Sequence, residues 1–117
     1  MEFLQLMEKR LSRRGMTIVT APDGQSALDI VTAAMKQPET MFQVVVMDVR
    51  MPGMDGLETL RHMKKIAPKL PVLLLTGHAS LGVAVQGMDL GAYDYMLKPV
   101  AINELIIKME EAVRAAA

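Results

Sequence analysis

An α/β domain, with a parallel sheet covered by helices on both faces, is predicted by three features of this chain. Strand-like and helix-like segments alternate along its length. The loops between them are short. Three of the strand-like runs are almost wholly apolar, as strands buried on both faces of a parallel sheet must be. These runs cover residues 42–47, 71–75 and 92–97.

The elements follow in order. Residues 2–14 place Phe3, Leu4, Leu6, Met7 and Leu11 on one helical face and Glu8, Lys9, Arg10, Arg13 and Arg14 on the other. Basic residues in the last turn followed by Gly15 end that helix. Residues 16–21 are short and β-branched, so they predict a strand. Asp23 caps a second helix running to about Gln37, with Ala27, Leu28, Val31, Ala34 and Met35 turned inward. The run at 42–47 is a buried central strand ending at Asp48. A loop with Pro52, Gly53 and Gly56 leads into a third helix that starts at Asp55 or Gly56 and stops before Pro68. The strand at 71–75 ends at Thr76. A fourth helix spans about 80–90, weakened by Gly82 and Gly87, each costing ~1 kcal/mol against alanine. The strand at 92–97 ends at Lys98, Pro99 follows, and a last helix covers 102–115. Ala101 offers that helix no side-chain cap.

The 117 residues suffice for one domain, 1–117, and 51% apolar with 22% charged residues is a globular composition. No cysteine is present, which excludes disulfides, thiolate metal sites and cysteine nucleophiles. Thirteen basic residues balance thirteen acidic ones, so the broad positive field that drives nucleic-acid binding is absent. The N-terminus lacks the pattern of a signal peptide, and no apolar run reaches a membrane span's ~18 residues. A cytoplasmic location is expected. The twelve methionines are scattered and read as core filling.

In a parallel sheet all carboxyl ends lie along one edge, where ligands bind. Asp48, Thr76 and Lys98 each follow a predicted buried strand, so a carboxylate, a hydroxyl and an ammonium meet there. Each alone is most simply a turn, cap or solvated residue; their joint placement points to a site.

The residues Val44-Val45-Val46-Met47-Asp48, Met51-Pro52-Gly53-Met54-Asp55-Gly56, Leu75-Thr76-Gly77 and Gly91-Ala92-Tyr93-Asp94-Tyr95-Met96-Leu97-Lys98-Pro99 resemble the receiver domain of two-component response regulators. The resemblance runs from the first helix to the last. It implies a flavodoxin-like, doubly wound parallel sheet of strand order 2-1-3-4-5 with five helices. It further implies that Asp48 accepts a phosphoryl group from a sensor histidine kinase or phosphotransfer protein. Thr76 then binds the phosphoryl group, Lys98 pairs with it, and Tyr95 turns inward as Thr76 moves. The Lys98–Pro99 bond is implied to be cis. The carbonyl of Arg50, with Asp48, is implied to hold Mg²⁺. Gly77 is a position kept small for the phosphoryl donor, and His78 lies at the mouth of the site. The switch acts on a downstream protein target.

The chemistry suits these residue types. A carboxylate attacking a phosphoryl group brings two anions together, and a cation must offset that charge. The family also begins with a strand ending in a pair of Mg²⁺-binding acidic residues. Neither is found here, and Glu2 is most simply a helix-dipole partner. Phosphorylation of this chain is therefore expected to be slow or absent. A central strand is missing beside 42–47, and three remedies are open: a natural protein that starts earlier, residues 16–21 sliding into the slot, or strand exchange in a homodimer. The first is favoured.

Three functional classes compete. The first is a phospho-accepting signalling domain. The second is a phosphorylation-independent interaction module with the same fold. The third is a phosphatase or mutase with Asp48 as nucleophile. Hydrolases resembling the haloacid dehalogenases need a second aspartate two residues on, where this chain has Arg50, so the third is set aside. His62 is read as a surface residue. Asp55 is read as a helix cap, and Glu104, Lys108, Glu111 and Arg114 as a solvated face that joins Asp89 and Asp94 if it serves as a contact surface.

Overall fold

A computed structural model describes residues 2–50 and 55–116, with backbone only for residues 2–4. The expectations for Glu2, Phe3 and Leu4 side chains and for residues 51–54 lie outside the described residues. Helix α1 spans Glu2–Arg13, and Gly15 follows it at φ +84°, the left-handed turn a helix exit requires. Helix α2 spans Gly24–Ala34, capped by Asp23, whose Oδ1 accepts the Ser26 N–H at 2.8 Å. Strand β1 is Val45–Asp48, helix α3 Gly56–Ile66 and strand β2 Val72–Thr76. Helix α4 is Leu81–Asp89, strand β3 Asp94–Leu97 and helix α5 Ile102–Ala116. Short 3₁₀ turns occupy Pro38–Thr40 and His78–Ser80.

The sheet is parallel, in order β1-β2-β3. Val45 pairs with Val72 and Asp48 with Leu75; Leu73 pairs with Asp94 and Thr76 with Leu97. Strand β2 is central and buried throughout, and its side chains alternate between two cores. Val72 and Leu74 join Leu28 and Val31 of α2, Leu60 and Met63 of α3, and Ala84 of α4. Leu73 and Leu75 join Met7 and Leu11 of α1 and Leu105, Ile106 and Met109 of α5. Helices therefore cover both faces, as the alternation predicted.

Four expectations are corrected. Residues 16–21 form no strand, although Met16 and Ile18 pack against the α1–α5 core while Val19 is exposed. A strand exists only beside a partner, and among the described residues none stands next to this segment. Residues 42–47 are not a central strand buried on both faces: β1 is half-buried, pairs only with β2, and leaves its other edge without a strand among the described residues. Strand β3 is likewise an edge, half-buried rather than buried, with Tyr93 before it exposed. Helix α2 ends at Ala34 with Met35 as its C-cap, and the Met35 side chain is exposed rather than turned inward. Beside Phe42 a mainly apolar groove of about 460 Å³ is lined from both helical layers, by Met35 of the α2 side and Val113 of α5. It lies at the amino end of the sheet, opposite Asp48 and Thr76.

Candidate functional site

Asp48, Thr76 and Lys98 converge at the carboxyl edge. The β1–β2 ladder continues one residue past Asp48, where the Val49 N–H donates to Leu75 O at 3.0 Å. The chain then folds back, so that the Gly56 N–H donates to Val49 O at 3.1 Å. A Cβ on Gly56 would lie 2.6 Å from Val49 Cα, so only glycine allows this closure. Asp55 caps α3 by accepting the Glu58 N–H at 2.8 Å, as expected from the sequence.

The Lys98 ammonium donates to Asp48 Oδ2 in an ion pair, each side chain about a third exposed. Asp48 Oδ1 accepts the Arg50 backbone N–H at 2.9 Å. Both carboxylate oxygens are thus engaged by donors, one from the backbone two residues on and one from the residue after the far edge strand. Thr76 is fully buried, and its hydroxyl donates to the Gly77 carbonyl at 3.0 Å, away from Asp48. The Lys98 N–H donates to Thr76 O at 2.8 Å, tying the end of β3 to the end of β2. The Lys98–Pro99 peptide is cis. Tyr95 is half-buried against the α2–α3–α4 core. A Cβ on Gly77 would meet nothing within 4 Å, so packing does not demand glycine there. His78 and His62 are exposed.

One contact had no signal in the sequence. Arg50 was singled out only for its backbone carbonyl, yet its Nε donates to the Ser80 hydroxyl at 2.6 Å. Ser80 is buried and occupies the N-cap position of α4 without capping it. Lys108 is the second addition. It bridges Asp94 at 2.9 Å and Glu111 at 3.9 Å, joining α5 to β3. Only the Lys108–Glu111 half has helical spacing that a sequence reveals.

A parallel sheet with an aspartate, a buried threonine and a lysine along its carboxyl edge defines an α/β domain with a charged site at that edge, and comparison narrows it. The family model described as the response regulator receiver domain matches residues 1–110, so the chain belongs to the response regulator receiver family. The chain is 38% identical over 108 residues to the DNA-binding transcriptional regulator NtrC of Escherichia coli, covering 92% of this chain and 22% of that protein. It is 39% identical to the response regulator MprA of Mycolicibacterium vanbaalenii, covering 92% of this chain and 44% of that protein. The chain thus spans less than half the length of these relatives. A receiver domain protein from Clostridium thermocellum superposes with TM-score 0.87 at 32% identity, covering 97% of this chain and 87% of that one. The receiver domain of NtrX from Brucella abortus superposes with TM-score 0.84 at 33% identity, over 97% and 91% of the two chains. The fold is the flavodoxin-like fold of these receivers, and the chain is a signalling domain of two-component systems.

Receiver domains generally bind Mg²⁺. Among the described residues no three acidic or histidine side chains cluster to hold a metal ion. Among the described residues Asp48 is the carboxylate that the Lys98 pair places at the site, and both its oxygens already accept hydrogen bonds. The described residues therefore do not complete a magnesium site. No helix among them is long and apolar enough to cross a membrane.

Proposed function

We propose that this receiver domain accepts a phosphoryl group on Asp48 from a sensor histidine kinase or phosphotransfer protein and thereby switches a protein-binding surface. The observation that carries this reading is the Lys98–Asp48 ion pair at the carboxyl edge, beside the end of β2 that carries Thr76. A carboxylate oxygen of Asp48 forms the new P–O bond as the donor's P–N bond breaks. The electron pair of the broken bond stays on the imidazole nitrogen, which takes up a proton. Asp48 has no proton to lose in its charged form. Lys98 offsets the negative charge gathering on the phosphoryl oxygens. The Thr76 hydroxyl leaves the Gly77 carbonyl for a phosphoryl oxygen, a stronger, charge-assisted acceptor. Tyr95 then moves into the space that opens, and Gly77 leaves the approach to Asp48 clear. With one carboxylate at the site among the described residues, Mg²⁺ binding at Asp48 and the Arg50 carbonyl is weak, and acceptance is slow. The domain works in the cytoplasm through protein contacts, without binding nucleic acid itself.

The test is intact mass before and after incubation with Mg²⁺ and a small acyl phosphate. One phosphate adduct is expected on the chain and none on Asp48→Asn. An adduct surviving in Asp48→Asn removes Asp48 from the role.

A second reading, a phosphorylation-independent interaction module, is favoured by the absence of a metal-holding cluster among the described residues. It predicts no adduct even when a strand bearing an acidic pair is appended at the N-terminus.

A further inference from the structure

A cavity of about 330 Å³ opens at the amino end of the sheet, away from the edge that carries Asp48. Its walls include Pro71 before β2, Ala92 and Tyr93 before β3, and Ala112 of α5. Lys64 of α3 and Lys69 of the loop after it supply the charge, and no carboxylate lines the cavity among the described residues. Lys64 is held there from two sides. Its Nζ donates to Leu70 O at 3.0 Å, and its stem lies over Gly91, where a Cβ would meet Lys64 Cε at 3.4 Å. The other lysines are placed differently. Lys98 and Lys108 are ion-paired with Asp48 and Asp94, and Lys9, Lys36, Lys65 and Lys69 are exposed.

We propose that Lys64 is an acylation site for small acyl phosphates, with Lys69 holding the phosphate. Partial burial strips water from the Lys64 ammonium and pushes its pKa below the ordinary 10.5. A desolvated lysine close to a second cation is an established route to a nucleophilic amine. As a neutral amine Lys64 keeps one N–H for Leu70 O and has a lone pair free for a guest in the cavity. That guest must be anionic, because the charged groups of the lining are both ammoniums. An acyl phosphate offers the anion to Lys69 and an electrophilic carbon to Lys64. After giving one proton to water, Nζ attacks the acyl carbonyl carbon. The N–C bond forms and the C–O bond to phosphate breaks. Its electron pair leaves on the phosphate oxygen, which takes up the second proton from nitrogen. The products are a lysine amide and inorganic phosphate. The amide retains an N–H for Leu70 O and loses the positive charge. This site is independent of the phosphoryl chemistry proposed for Asp48, where the same reagent is attacked at phosphorus rather than carbon.

The test is site-resolved mass spectrometry of the chain after timed incubation with acetyl phosphate, without Mg²⁺. Acetylation at Lys64 is expected several-fold faster than at the exposed Lys36 and Lys65, and the preference is expected to vanish in urea. Equal or slower labelling of Lys64 in the folded chain overturns the site, as does a preference that survives unfolding. Lys69→Gln is expected to slow acetylation of Lys64 by acetyl phosphate several-fold and to leave its acetylation by an uncharged active ester unchanged. A fall with both reagents, or with neither, overturns Lys69 as the phosphate holder. Asp48→Asn is expected to acetylate at Lys64 like the unaltered chain, so failure of the Asp48 reading leaves this site standing. A fall at Lys64 in Asp48→Asn overturns the independence of the two sites.

Discussion

Lys98 reaches Asp48 over the whole width of a strand. Asp48 ends β1, Lys98 follows β3, and β2 lies between them with Thr76 at its tip. Neighbouring strands are ~4.8 Å apart, so the span is within reach of the long lysine stem and beyond a short side chain. The ammonium is therefore held over the Thr76 position by the same pair that engages the acceptor carboxylate.

Replacing Lys98 by Met is expected to abolish phosphate uptake while changing stability by no more than about 1 kcal/mol, because the pair is partly exposed and screened. Intact mass and a denaturant titration of the same sample separate the two effects. A loss of several kcal/mol instead would make the pair structural.

The two glycines of α4 should behave oppositely. A Cβ on Gly87 would sit 2.4 Å from Leu74 Cδ1, inside the buried face of the helix. Gly87→Ala is expected to destabilise by about 1–3 kcal/mol through overpacking. A Cβ on Gly82 meets nothing within 4 Å, and Gly82→Ala is expected to stabilise by up to about 1 kcal/mol. Urea midpoints of the two variants check the signs.

Lys108 links α5 to β3, and its hydrogen bond to Asp94, with the attraction of that carboxylate, raises its pKa above the ordinary 10.5. A raised pKa means the folded state holds the proton more tightly. The contribution is complete below 10.5 and disappears as pH rises through the folded value. The stability difference between the unaltered chain and Asp94→Asn should thus be constant at neutral pH and shrink only in strong alkali.

Asp23 behaves in the opposite sense. The Ser26 backbone N–H it accepts lowers its pKa below 3.8. Its capping contribution to α2 is present above 3.8 and lost as pH falls through the folded value. Acid should therefore fray the first turn of α2 in the unaltered chain and leave Asp23→Ala, already frayed, little changed. Amide exchange at Ser26 measures it.

The open edge of β1 predicts that an appended N-terminal strand with an acidic pair raises the thermal midpoint, since several ladder bonds add at about 1 kcal/mol each. In that extended chain Mg²⁺ should raise the midpoint further, and chelation should reverse it. In the present chain Mg²⁺ should shift it little. Equal metal responses in the two chains would refute the single-carboxylate account.

Local signals were enough to place α1, the Asp23 and Asp55 caps, the fully buried β2 and the residues that end the three strands. Each depends on neighbours within one or two turns or on a short apolar run. The same signals failed for residues 16–21, because β-branched residues describe a capacity to pair and not the presence of a partner. They also overstated the burial of β1 and β3, whose Val- and Leu-containing runs read as central strands although each has one neighbour.

By itself the sequence determined the alternation of elements and hence a parallel sheet with helices on both faces. It also determined that a carboxylate, a hydroxyl and an ammonium share one edge, because parallel strands must end together. Only the tertiary structure decided that Lys98 binds Oδ2 of Asp48, that Arg50 turns to Ser80, and that Gly87 is demanded by Leu74 while Gly82 is not. Those are contacts between segments far apart in the chain. Their geometry depends on strand order and helix packing, which no local pattern of residue types encodes.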